Sequence, residues 1–347
     1  MMKKKLILIL WLWPMSCYGQ TIQDLWPAAE KQQEFLEIKV LDTLKQIDVI
    51  RFHDNEFLNP GLIKVRESTI LVYDFYMKQL YSVNRDNDPN LIEEIGRGNG
   101  SGPGEYRFVG SIDLDEHHNR YTLDTELLRL SVWDSNNELK GVYNLGAGGG
   151  IPGKIATDGE SLILKYAFAG NSEYQFGLIS KDGNLLHRFY ELNTWMNIKS
   201  PLLYEGHISA QKGKIAYASV NYGVFMLLDL EGNLVFTKQM IDPLNGLEME
   251  VRQSGFTLST TVKNTSRIVT LSLDLTKDKI FILYSGSRSL QSNRIDVYDV
   301  TNGHYICTFI LDEYVNDISV DGENLFAIVP ENENEKARIV IYQLSMD

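Results

Sequence analysis

Apolar and polar residues alternate along most of this chain in short runs, and the runs come in pairs joined by turns rich in Asp, Asn and Gly. Four pairs stand out: 130–145 (LSVWDSNNELKGVYNL), 177–192 (GLISKDGNLLHRFYEL), 225–240 (FMLLDLEGNLVFTKQM) and 295–311 (IDVYDVTNGHYICTFIL). A two-residue period in Val, Ile, Leu, Phe and Tyr fits a pleated strand with one face buried. The Asp-Gly-Asn, Glu-Gly-Asn and Asn-Gly turns supply the positive φ that reverses the chain. Weaker pairs, with a shorter polar turn between two apolar stretches, lie at 111–124, 207–220, 271–284 and 315–329.

Two hairpins in series make a four-stranded antiparallel sheet. Repeats of roughly 40–50 residues with four strands each, uninterrupted by a long helical segment, are the period of a β-propeller. The spacing predicts an all-β, six-bladed propeller with blades at 60–98, 109–146, 153–192, 206–241, 268–311 and 315–344. The last blade runs out of chain before its outer strand. The alternating run 38–52 (IKVLDTLKQIDVIRF) precedes the first blade, has no other sheet to join, and is expected to complete the ring, leaving 20–37 as a lead-in.

Residues 1–19 stand apart. A basic start (Lys3–Lys5), an apolar core (Leu6–Trp13) and an exit through Pro14–Gly19 make a secretory leader, too short to cross a bilayer. The reading is an exported protein, periplasmic or lipid-anchored at the cell envelope, with residues 20–347 as one domain. Two processing routes fit: lipidation at Cys17, or cleavage after Gly19 to leave Gln20 first. Under either route Cys307 has no intramolecular partner, so burial and ring closure must stabilise the domain. The formal charge is −13, and the leader carries three lysines and no acids, so its removal leaves −16. A surface of that sign repels nucleic acid and anionic lipid, so membrane contact would come only through Cys17.

Between blades 1 and 2 the chain carries Gly100, Gly102, Pro103, Gly104, Glu105 and Tyr106, then an inner strand at Val109–Leu114 and the VWD hairpin at Val132–Asp134. Here it resembles the six-bladed β-propeller proteins of the NHL and TolB-like group that abound in Bacteroides and its relatives. The resemblance spans essentially the whole mature chain and implies a fold and an export habit. It implies little about activity, because that superfamily mixes ligand-binding scaffolds with lactonases and lyases.

Individual residues give few chemical signals. Neither glycine cluster is a phosphate loop: GRGNGSGPG never satisfies GxGxxG, and Gly148–Lys154 is followed by Ile155 where a hydroxyl should bind magnesium. No Gly-x-Ser-x-Gly elbow occurs. The six histidines are scattered, and only His207, at the start of an inner strand, is placed to face the central channel. Asp134, Asp182, Asp229 and Asp299 recur in hairpin turns as turn formers. Glu105, Asn221 and Asp317 are the weak candidates for a divalent cation such as calcium, on the pattern of lactonase-type propellers; otherwise no cofactor is expected.

Loop length is more informative. Connections between blades, and between the second and third strands of a blade, emerge on one face of a propeller. Here they include 96–108, 193–205 and 242–267, with shorter additions at 168–173, 285–292 and 330–337. Long loops on a rigid scaffold are where recognition resides, and Arg and aromatic residues make good anchors. The expected ligand-binding set is Arg97, Glu105, Arg107, Trp195, Tyr204, Arg252 and Arg288. The function read from the sequence is a monomeric binding module for a peptide, glycan or protein, more a binder than an enzyme. A divalent-metal-dependent lactonase or lyase at the channel mouth is the alternative.

Overall fold

The computed structural model describes residues 22, 26, 28–32, 37–41, 44–51, 58–85, 92–146, 150–168, 174–191, 204–254, 257–333 and 335–345. The leader, Cys17 and Trp195 lie outside them. Every named element is a β-strand, and six antiparallel sheets of four strands form a propeller ring.

Each blade starts at the ring axis. The six inner strands are Pro60–Arg66, Val109–Leu114, Ile151–Thr157, Gly206–Gln211, Ile268–Leu275 and Asp317–Asp321. Each touches the next, and the last touches the first. We number the blades 1 to 6 in that order.

The packing follows from the strand period. In the second strand of blade 1, Thr69–Asp74, all six residues are buried. Ile70 and Val72 enter an apolar cluster shared with blade 6, whereas Leu71 and Tyr73 enter one shared with blade 2. The same division recurs in blade 4, where Ile215 and Tyr217 pack toward blade 3, and Ala216 and Ala218 toward blade 5. Among the described residues six apolar clusters occur, one at each junction between neighbouring blades. A sheet buried on both faces sends alternate side chains to opposite junctions.

The N-terminal run expected to form one strand over 38–52 is divided. Val40–Leu41 pairs in parallel with Thr308 and Phe309 at the outer edge of blade 5. Lys45–Arg51 pairs antiparallel with Arg338–Gln343 in blade 6, from Lys45 opposite Gln343 to Arg51 opposite Arg338. Ahead of both, the lead-in docks on blade 4. Glu30 exchanges backbone hydrogen bonds with Thr237 and Gln239, and Trp26 is buried against Tyr204 and Tyr217, each ring centroid 5.9 Å away. The segment 242–267, read from sequence as a loop, contains a separate hairpin, Met249–Ser254 with Thr257–Val262. Cys307 is buried in the junction of blades 5 and 6, and burial pushes its thiol up to about 11.

Candidate functional site

One local device shapes the face where the inner strands begin. Asp74 ends the second strand of blade 1. Its Oδ1 accepts the backbone N–H groups of Tyr76 and Met77, both at 2.8 Å, while Oδ2 accepts those of Leu58 and Asn59 at 2.8 and 2.7 Å. Asp124 does the same in blade 2, holding Glu126 and Leu127 with one oxygen and Arg107 and Phe108 with the other. In blade 4 the Ser219 hydroxyl accepts from Asn221 and Tyr222 in the same place. One short polar side chain thus fixes the turn and, in blades 1 and 2, the incoming loop as well.

These turns present aromatic surface. Tyr76 is 71% exposed and Phe108 49%, and the Phe108 ring stacks on Phe75 at 5.7 Å. Arg97 and Arg107 are exposed nearby in the chain, and Arg107 Nε donates to Ser101 Oγ at 3.1 Å. Leu290, also exposed, lies on a connection of the same class, and the exposed Tyr314 lies near the end of the Tyr305–Val315 strand of blade 5.

Side chains from all the inner strands meet across the channel. Lys64 of blade 1 reaches past blade 6 to Asp274 of blade 5, 2.5 Å from Nζ to carboxylate. Asp274 also accepts from Ser209 of blade 4 at 2.9 Å, and from Ser319 Oγ and Val320 N of blade 6 at 3.0 and 2.7 Å. Asp113 of blade 2 adds its attraction for Lys64 and accepts from Thr157 N of blade 3 at 2.6 Å. All six blades therefore meet in one polar knot. Burial opposes both charges of the Lys64–Asp274 pair, yet attraction and hydrogen bonds win, holding Asp274 below and Lys64 above their ordinary ranges. Lys64 lines both a cavity of about 90 Å³ toward the long-loop mouth and one of about 50 Å³ toward the other.

The mouth cavity is lined by Lys154, His207 and Asp317 among others. Lys154 Nζ donates to Gly110 O at 2.9 Å. Asp317 accepts from Ile63 N at 2.9 Å, Ile318 N at 3.0 Å and the Ser272 hydroxyl, and burial pushes its carboxyl up to about 6. Burial, reinforced by Lys154, lowers His207 to about 3, and burial lowers the adjacent Lys165 to about 7.

These shifts set a pH dependence. His207 is depressed from the unfolded value near 6.5, so the native state binds fewer protons between the two values. The stability it contributes is full above about 6.5 and is lost as pH falls toward 3. Asp317 is raised and acts oppositely, favouring the native state as pH falls through 6. His207→Gln should therefore retain about 2 kcal/mol that the parent loses between pH 6.5 and 4, read by urea unfolding across that range. Parallel pH curves for parent and variant would refute this assignment.

The sequence-derived candidates scatter over this frame. Arg97, Arg107 and Arg288 are exposed on connections of the long-loop class. Tyr204 is half-buried against Trp26, with its carbonyl accepting from Gln175 and Tyr217. Arg252 lies in the Met249–Ser254 strand of the extra hairpin. Glu105 serves its own loop: its carboxylate accepts from Gly102 N at 2.6 Å, and a Cβ on Gly100 would collide with it. Asn221 sits in the turn after the second strand of blade 4, away from the channel-lining set that includes Asp317. Among the described residues no three His, Cys, Asp or Glu side chains gather as a metal-holding group. Phe75, Tyr76 and Phe108 were missed by the sequence reading. The signal was present in the repeat of Asp74 and Asp124 at strand ends, each followed or preceded by bulky residues.

No family model matches the chain, and no curated protein matches it. Solved structures do. The fold is similar to that of a protein of Bacteroides fragilis assigned as exported, at 12% identity and TM-score 0.59, covering 92% of this chain and 99% of that one. Virginiamycin B lyase of Staphylococcus aureus follows at 10% identity and TM-score 0.50, covering 87% and 99%. The Swd1 β-propeller domain of Myceliophteria thermophila is 9% identical at TM-score 0.50, covering 87% and 100%. At these identities the likeness is one of fold.

Proposed function

We propose that the protein is an exported binding module that recognises a peptide, glycan or protein partner on its long-loop face. The observation that carries the reading is the exposed Tyr76 and the Phe75–Phe108 stack, held on turns that Asp74 and Asp124 fix through backbone N–H groups. Exposed aromatic surface on a rigid frame, beside Arg97 and Arg107, is suited to interface anchoring at low entropic cost. Arg288, exposed on the connection between the second and third strands of blade 5, extends the proposed surface, and Trp195, Tyr204 and Arg252 are proposed with it from the sequence alone. Export rests on the leader and agrees with the exported neighbour of the same fold. The Gly-Pro-Gly-Glu-aromatic phrase is the support for a place in the NHL and TolB-like group.

Arrays of peptides and of glycans probed with the wild-type protein should yield a binder. Replacing Tyr76 and Phe108 by Ala should weaken it at least ~30-fold, the size of an anchor worth about 2 kcal/mol, with the unfolding midpoint kept. Trp195→Ala and Arg252→Ala should weaken the same ligand. Unchanged affinity in all of these would sink the assignment of the face. The rival, a divalent-metal lactonase or lyase, predicts instead that calcium raises the thermal midpoint over EDTA.

A further inference from the structure

On the opposite face, where the tight turns lie, a cleft of about 310 Å³ opens between blades 1 and 2. It is the size of a small-ligand pocket, and its lining is polar throughout. Hydroxyls come from Ser68, Thr69, Ser82 and Ser135, with an amide, a carboxylate, an imidazole and a guanidinium between them. Hydrogen bonds tie the blades together here, among them His118 Nδ1 with Thr69 Oγ1 at 3.1 Å and Arg120 with Ser82 Oγ at 3.4 Å.

Arg120 is the unusual member. It is 4% exposed, yet among the described residues no carboxylate lies within ion-pair distance of it. One terminal nitrogen donates to the carbonyls of His118 and Asp134. The other gives one bond to Ser82, and Nε has no partner. A guanidinium has five N–H donors, so two remain unspent on a buried cation. Glu93 and Asp134 attract the cation from beyond ion-pair distance without filling these donors, and a ligand carboxylate suits them.

The rest of the lining restricts which anion fits. Glu93, on the exposed rim, is held by Asn137 Nδ2 at 2.6 Å. A carboxylate there disfavours a polyanion such as phosphate and accepts hydrogen bonds from hydroxyls. No Phe, Tyr or Trp ring lines the cleft, so a neutral sugar lacks the usual stacking platform. We propose that this cleft binds a small hydroxylated carboxylate of the uronic acid class, its carboxylate on Arg120 and its hydroxyls on Glu93 and the Ser and Thr side chains. The site is separate from the recognition face.

Isothermal titration of the protein with D-glucuronate, D-glucose and inorganic phosphate tests it. Glucuronate should bind one to one below millimolar, with glucose and phosphate at least tenfold weaker. Ser135 lies in an exposed turn at the rim, so Ser135→Trp should fill the cleft without disturbing the core and abolish binding. Arg120→Lys should weaken glucuronate tenfold or more and leave the response to glucose unchanged. Phe108→Ala, on the other face, should leave glucuronate affinity intact. No heat from glucuronate with the wild type, equal affinity for glucose, or full affinity in Ser135→Trp would each overturn the proposal.

Discussion

Asp274→Ala should be the most damaging single substitution in the channel, costing about 3–5 kcal/mol, the usual range for removing one partner of a buried ion pair. The variant leaves the Lys64 ammonium without its counter-charge, and strands the donors Ser209 Oγ, Ser319 Oγ and Val320 N. Denaturant unfolding of parent and variant reads the difference. The double variant Lys64→Met with Asp274→Leu should recover much of the loss, because it removes both charges together. The pH dependence has a fixed sign. Asp274 is depressed, so its contribution is present above the unfolded carboxylate value near 3.9 and lost as pH falls through its folded pKa. Lys64 is raised, so its contribution is present below about 10.4 and lost as pH rises through its folded pKa. Equal stability of the single and double variants would mean that the ammonium finds another partner in the native state.

Deleting Lys45–Arg51 should have the largest effect of any short truncation. Those residues cover the Arg338–Gln343 strand, whose Ile339, Val340, Ile341 and Tyr342 are buried, and Ile50 itself is 3% exposed in the junction of blades 6 and 1. Without it that strand becomes an open, apolar edge, the template on which chains aggregate. The chain lacking residues 45–51 should be recovered as soluble aggregate or inclusion bodies. Ile50→Ala, a milder probe, should cost about 3 kcal/mol, within the range for Ile-to-Ala changes in cores. Normal monomeric elution of the shortened chain, with unaltered unfolding, would show that blade 6 needs only three strands.

The outer hairpins were the legible part of the fold. Leu234 and Val235 are exposed, whereas Thr237, Lys238 and Gln239 in the same strand are buried, so outer strands mix environments and show clear turns. Strands such as Thr69–Asp74 and Lys214–Ser219 were harder to read because both their faces are covered, which replaces alternation by a near-continuous apolar run. The hairpin within 242–267 gave no signal, since MEVRQS and TLSTTV are short and largely polar. The site was less legible still. Asp134, Asp229 and Asp299 do form turns, each accepting a backbone N–H with Oδ1, but in blade 3 that role belongs to the Ser180 hydroxyl, with Asp182 displaced two residues onto it. Lys64, Asp113 and Asp274 look unrelated in the sequence. They meet only because equivalent positions on inner strands converge on one axis, and that convergence comes from the ring.

The division of each central strand between two apolar clusters has a mechanical meaning. An open row of six units has five joints, and breaking any one separates the row; a closed ring has six, and no unit leaves until two of its joints fail. A fluctuation that loosens the junction of blades 1 and 2 leaves blade 1 held by blade 6. Amide exchange in the second strands should therefore proceed only when the whole ring opens, and be nearly uniform from blade to blade, while the turns at either mouth exchange one by one.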